Sequence, residues 1–149
     1  MARFDVDIPD DFLSNLTDYQ FEMIAEPALK AAAPVLEKEM KKAARAVVQH
    51  EGESEMVESI KASNPVKTKT DAYIVNVSPR GEGKNFYYRK KKKTRKYRIN
   101  NALKAIWMEY GINAPNHHQA PRPFLEKATK NAQETAVEKM QEVYDRIIK

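Results

Sequence analysis

The sequence predicts an α+β fold: a small antiparallel sheet packed against a long N-terminal helix and a C-terminal helix, with a projecting basic hairpin. Three observations predict it. Apolar residues recur at helical spacing near both ends of the 149-residue chain, from Phe21 to Val47 and from Phe124 to Ile147. Between them, Tyr73, Val75 and Val77 alternate with other residues as in a strand. The third is a stretch from Lys84 to Arg98 with nine basic residues in fifteen positions, no acid, and the aromatics Phe86, Tyr87, Tyr88 and Tyr97 threaded through it.

At the N-terminus, Phe4, Val6 and Ile8 alternate with polar residues, the pattern of a short strand or extended arm, which Pro9 interrupts. Asp10 or Asp11 can cap a short helix running through Tyr19, so residues 1–19 are expected to form an arm and a short helix. The next stripe, Phe21, Ile24, Ala28, Ala32, Val35 or Leu36, Met40, Ala43 or Ala44 and Val47, is helical but contains two prolines. Pro27 suits the first turn of a new helix, where a missing N–H costs nothing. Pro34 should kink or restart it. The long helix is expected to end near His50, with Gly52 as its stop.

Met56–Ala62 and Asp71–Val77 read as strands, with SNPVKTKT as the turn between them and Pro79 and Gly81 closing the second. Residues 84–99 then read as a solvated basic hairpin or loop. Asn101 can cap a short helix whose Ala102, Leu103, Ile106, Trp107 and Tyr110 share one face, and Gly111 can stop it. A proline-rich linker, INAPNHHQAPRP, leads to the last helix. Its stripe is Phe124, Ala128, Ala132, Ala136 or Val137, Met140, Tyr144 and Ile147, with Pro123 placed in its first turn.

The length fits one domain over residues 1–149, large enough for a real core. With no cysteine, disulfides and thiolate metal sites are excluded. No apolar run approaches the ~20 residues of a membrane span. MARFDVDIPDD has no apolar core of a secretory signal, so a soluble protein made in the cytosol is expected, with no membrane partner. Catalytic patterns are missing: there is no phosphate loop or GxSxG, and the carboxylates lie beside lysines as on solvated helix faces. His117 and His118 are adjacent on a linker, with no third ligand at metal-binding spacing. The expectation is a protein without catalytic residues, metal or cofactor.

The charge is local. The chain carries 26 Lys+Arg and 21 Asp+Glu, a net +5; outside the basic stretch, 17 bases face 21 acids and the balance is −4. Four consecutive lysines can simply keep a hairpin tip soluble and unpaired. They can also contact phosphates by counterion release, with tyrosines stacking on bases, or contact an acidic neighbour. No helix-turn-helix, RNP or zinc-finger pattern is present, which argues against sequence-specific reading. The candidate contact residues are Lys84, Arg89, Lys90, Lys91, Lys92, Lys93, Arg95, Lys96 and Arg98. Non-specific nucleic-acid binding through them is the alternative function.

Glu109, Tyr110 and Gly111, followed by a short loop and then Ala120, Arg122, Pro123, Phe124 and Leu125, resemble the phage tail-component family that includes the gene 10 product of lambdoid coliphages. Upstream, Gly52, Met56, Ser59 and Ile60 resemble the step by which that family leaves its long helix for a small antiparallel sheet. The likeness spans roughly residues 20 to 147. Two departures are His50-Glu51-Gly52-Glu53 in place of a Thr-Gly step, and Ile112 where a small polar residue is common. The resemblance implies a virion structural protein of a tailed phage or prophage. Such a protein joins tail to head as a tail-completion or neck ring, a suspected hexamer around the DNA channel, alongside other connector and tail proteins. Within it, the Glu109 to Phe124 segment is expected to fix the last helix against the sheet.

Overall fold

The computed structural model describes residues 18–90, 93–115 and 117–149. Its elements in chain order are α1 (Asp18–Ala46), α2 (Glu51–Glu58), β1 (Ile60–Ala62), β2 (Val66–Lys67), β3 (Tyr73–Ile74), β4 (Val77–Pro79), β5 (Glu82–Lys90), β6 (Lys93–Asn100), α3 (Asn101–Tyr110), β7 (Ile112–Ala114), β8 (His117–Gln119) and α4 (Leu125–Ile148). Long helices at both ends and antiparallel strands between them make the fold α+β. The strands form four separate two-stranded ladders, β1–β4, β2–β3, β5–β6 and β7–β8, in place of one small sheet.

α1 and α4 are the frame. Ala43 and Ala44 of α1 share a cluster with Phe124 and Ala128 at the start of α4. Ile24 and Ala28 cluster with Val143 near its end. The two helices therefore run antiparallel. Much of their contact is alanine: Ala28, Ala32, Ala43, Ala44, Ala128, Ala132 and Ala136 are all buried. Spacings of three and four residues put these small side chains on one stripe of each helix, where backbones can approach closely.

α1 is one helix through both Pro27 and Pro34, which corrects the expected restart. Both prolines are exposed. A proline there removes one N–H on the solvent side, where water can take the freed carbonyl, and the buried stripe holds the helix together. α1 ends at Ala46, short of His50. Gly52 is not its stop but lies inside α2, so Met56–Ser59 belongs to a helix and its C-cap instead of a strand. Met56, Val57 and Ile60 are each fully buried; a short apolar run of that kind fits a helix or a strand equally, and burial against α1 decides it. The expected strand over 71–77 is split into β3 and β4. The expected N-terminal arm, and the cap and short helix after it, lie outside the described residues as far as residue 17, while Asp18 and Tyr19 are the first residues of α1.

Two further boundaries move by a residue, and one linker gains a ladder. Asn100, not Asn101, caps α3, its side chain accepting from the Ala102 N–H at 2.7 Å. The proline-rich linker contains the β7–β8 ladder, with Ile112 opposite Gln119 and Ala114 opposite His117. Phe124 is the N-cap of α4 and Pro123 precedes it, outside the first turn. The stripe expected on α4 is the buried one, with Val143 added and Ile147 exposed.

Candidate functional site

The entry to α4 is held by two acids from elsewhere in the chain. Glu109, in the last turn of α3, accepts hydrogen bonds from the Phe124 N–H at 2.9 Å and the Leu125 N–H at 3.2 Å. The first N–H groups of a helix have no partner inside it, and a carboxylate placed there satisfies them and complements the helix dipole. Gly111 makes the reversal between donor and acceptor possible. Its φ is +76°, and a Cβ there would lie 2.5 Å from the Gln119 carbonyl oxygen. The Arg122 N–H donates to the Met108 carbonyl at 2.6 Å, so the chain leaving α3 and the chain entering α4 are pinned side by side.

Arg122 is the second lock. Its guanidinium makes a forked pair with Glu53, one arm at 2.9 Å, and also donates to the Val47 carbonyl at 2.6 Å. Both side chains are 11% exposed. Glu53 in turn accepts from the Gln49 and His50 N–H groups, at 2.8 and 3.2 Å, capping α2 from within. Burial pushes the Glu53 carboxyl up, but the hydrogen bonds from Arg122, Gln49 and His50 outweigh it and hold the group down at about 2. One ion pair thus ties together the end of α1, the start of α2 and the entry to α4. Phe124, 1% exposed, belongs to a buried cluster with Met40, Met56, Ile60 and Met108, whose members come chiefly from helices. Tyr110 is 73% exposed and Pro123 is exposed; neither is part of the lock.

The basic stretch forms the β5–β6 ribbon, whose strands pair only with each other among the described residues. Its root is fixed. The Asn101 side chain donates to the Arg80 carbonyl at 2.8 Å, and the Asn101 N–H donates to the Gly81 carbonyl at 3.0 Å. Gly83 sits on Lys104, where a Cβ would meet the Lys104 Nζ at 2.0 Å. The ladder shifts register between Glu82 and Asn85, taking up the extra residue as a bulge at this crowded point. Beyond it the register sets Tyr87 opposite Lys96, Tyr88 opposite Arg95 and Lys90 opposite Lys93. Lys91 and Lys92 lie outside the described residues. Like charges placed directly opposite destabilise a ribbon in isolation, and a counter-charge relieves it.

α3 departs most from the sequence reading. Its buried residues are Asn101, Lys104, Ala105 and Met108. Leu103, Ile106 and Tyr110, at positions i, i+3 and i+7 of the expected apolar face, are 40%, 45% and 73% exposed. Lys104 is only 5% exposed and donates from Nζ to the Gly52 carbonyl at 3.1 Å. Sequence reasoning missed both Lys104 and Glu53. A Glu three residues after a helix break is a capping signal, and it could have identified Glu53; nothing in the sequence marks Lys104.

His117 and His118 are successive residues of β8 and so point to opposite faces. Among the described residues no group of three or more His, Cys, Asp or Glu could hold a metal ion. No helix among them is long and apolar enough to cross a membrane.

A family model described as "Bacteriophage HK97-gp10, putative tail-component" matches residues 10–111. The chain belongs to this family. The HK97-gp10-like match covers α1, α2, the ladders β1–β4 and β5–β6, and α3 down to Gly111, hence Glu53, Glu109 and the whole basic ribbon. Arg122, Pro123 and Phe124 lie beyond it, and the geometry above is what connects them to the matched part. The role that follows is that of a phage tail component, which points to a structural protein and away from an enzyme. No curated protein and no solved structure matches the chain.

Proposed function

We propose that this HK97-gp10-like chain is the tail-completion or neck component that joins tail to head, acting in the virion as a closed ring of subunits, a hexamer by the family resemblance, around the DNA channel. Membership of a tail-component family carries the reading. The outward apolar face of α3 supports subunit contacts, because a monomer gains nothing by leaving Leu103, Ile106 and Tyr110 in water. Connector and tail proteins are the neighbours this role requires.

The test is removal of the gene from a phage that encodes it, followed by negative-stain imaging of the lysate. Filled heads and finished tails lying unjoined, with infectivity restored by the gene in trans, are expected. Joined particles of normal infectivity would overturn the assignment.

A second reading, non-specific DNA binding by Lys84–Arg98, is favoured by the charge of that segment alone. It predicts that the free monomer binds duplex DNA with an affinity that falls steeply with salt.

A further inference from the structure

Charge in this chain is separated into two poles. Residues 18–26, the first turns of α1, contain three acids and no base, whereas Lys84–Arg98 contains nine bases and no acid. The remaining 17 bases and 18 acids nearly cancel. Each pole also has an apolar face. On the first turns of α1, Tyr19 and Met23 are 72% and 50% exposed, and with the exposed Glu26 they occupy positions i, i+4 and i+7 of one face. At the other pole β6 runs directly into α3 and its exposed Leu103, Ile106 and Tyr110.

The fold keeps these poles apart. α3 shares its cluster with Met40, Ala43 and Ala44 in the last turns of α1. Met23 lies twenty residues before Ala43 in the same helix, about 30 Å away at the helical rise. The acidic-apolar pole therefore does not reach the basic-apolar pole of its own chain through α1. It can meet that of another copy.

We propose that the first turns of α1 in one copy dock on the α3 face and the root of the β5–β6 ribbon in the next, making a head-to-tail contact between copies of this chain. The proposal rests on the ring reading above and names the two surfaces that close it. Two different patches meeting from copy to copy is the heterologous arrangement a ring requires. The apolar faces decide between partners. A DNA backbone could neutralise the ribbon, but it would leave Leu103, Ile106 and Tyr110 in water; a second copy supplies both acids and Tyr19 and Met23. Glu22 is excluded from the counter-charge because Lys67 already pairs with it within the chain.

The test is a charge swap on the full chain. D18K/E26K leaves two lysines and the already paired Glu22 in the first turns of α1, so both poles are basic, and K96E/R98E puts two acids into β6 at the ribbon root, opposite in sign to the residues they replace. Masses are measured by light scattering at two protein concentrations, in about 0.05 and 0.5 M salt. Wild type is expected to form a closed species that weakens in high salt. Each variant alone should self-associate at least about tenfold more weakly. A one-to-one mixture should recover the wild-type mass, because each basic pole then finds an acidic one; recovery also proves both variants folded.

Variants that assemble as well as wild type would overturn the pole contact while leaving the ring intact. A wild type that stays monomeric at all concentrations would overturn contact and ring together. K96E/R98E that assembles normally but loses salt-dependent binding to a duplex oligonucleotide would assign the ribbon to DNA and overturn the proposal.

Discussion

Arg122 is tied to three segments, through the Val47 carbonyl, the Glu53 carboxylate and, from its backbone N–H, the Met108 carbonyl, so removal of its side chain should be felt well beyond one contact. Replacing it with methionine leaves Glu53 as a nearly buried carboxylate with only backbone donors. Breaking one side of such a pair costs about 3–5 kcal/mol, whereas the double replacement of Glu53 and Arg122 by methionine should cost much less, since no uncompensated charge remains. Chemical denaturation of the two variants checks this. The pH dependence has a definite sign. Glu53 is held at about 2 in the folded chain against 4.5 for the free group, so its stabilisation is complete above pH 4.5. It is lost as pH falls from there towards 2. The double variant should lose stability less steeply over that window.

Glu109 offers a finer test at the same scale. Glu109→Ala removes the acceptor for two backbone N–H groups at the start of α4. It should cost about 1–2 kcal/mol, as the loss of a good N-cap does, while Glu109→Gln keeps an acceptor and should cost less. Thermal melts of the two variants distinguish a cap from a merely space-filling residue. None of this was visible as interaction in the sequence, because Glu53 and Arg122 are 69 residues apart. What the residues did show was the motif: Glu109, Gly111 and Phe124 stand out by type and spacing, and the structure adds what each one touches.

At the scale of elements, periodicity read correctly wherever burial is one-sided. The stripes on α1 and α4 are the buried ones because each helix turns one apolar side to the core. Periodicity failed on α3, where the apolar face looks outward and the inward face includes Asn101 and Lys104. A sequence pattern reports which face wants to leave water, not whether this chain or another copy covers it. Local signals failed differently on α1. Pro27 and Pro34 were read as breaks, yet packing along a 29-residue helix outweighs the roughly 3 kcal/mol that an interior proline costs. The α1–α4 contact itself can be probed with Ala132→Leu. Ala132 is 1% exposed in the middle of α4, and overpacking there should destabilise by about 1–3 kcal/mol. A melt unchanged by the leucine would mean that the helices have room between them.

For the whole molecule, the α+β class and the order of the main elements could be read in advance, but the organisation of the strands could not. Among the described residues the strands form four ladders of two, and short strands bear no record of which neighbour they will pair with. The distribution of charge was legible from the first reading as a local excess. Its meaning needed the fold, which sets the basic ribbon beside α3 and the acidic turns of α1 at the far end of a long helix. Under the proposed contact between copies, solubility and assembly are governed by the same residues.

The alanine seam between α1 and α4 bears on how this protein can change over time. Helices that meet through methyl groups leave no larger side chain to trim and little space into which one could grow. Nearly every single-base change at Ala28, Ala32, Ala132 or Ala136 therefore enlarges a residue or makes it polar, and glycine, the remaining option, loosens the helix. Drift in this family should consequently run through the ribbon, the short ladders and the exposed faces, while the seam stays as a fixed record of how far apart the two helices stand.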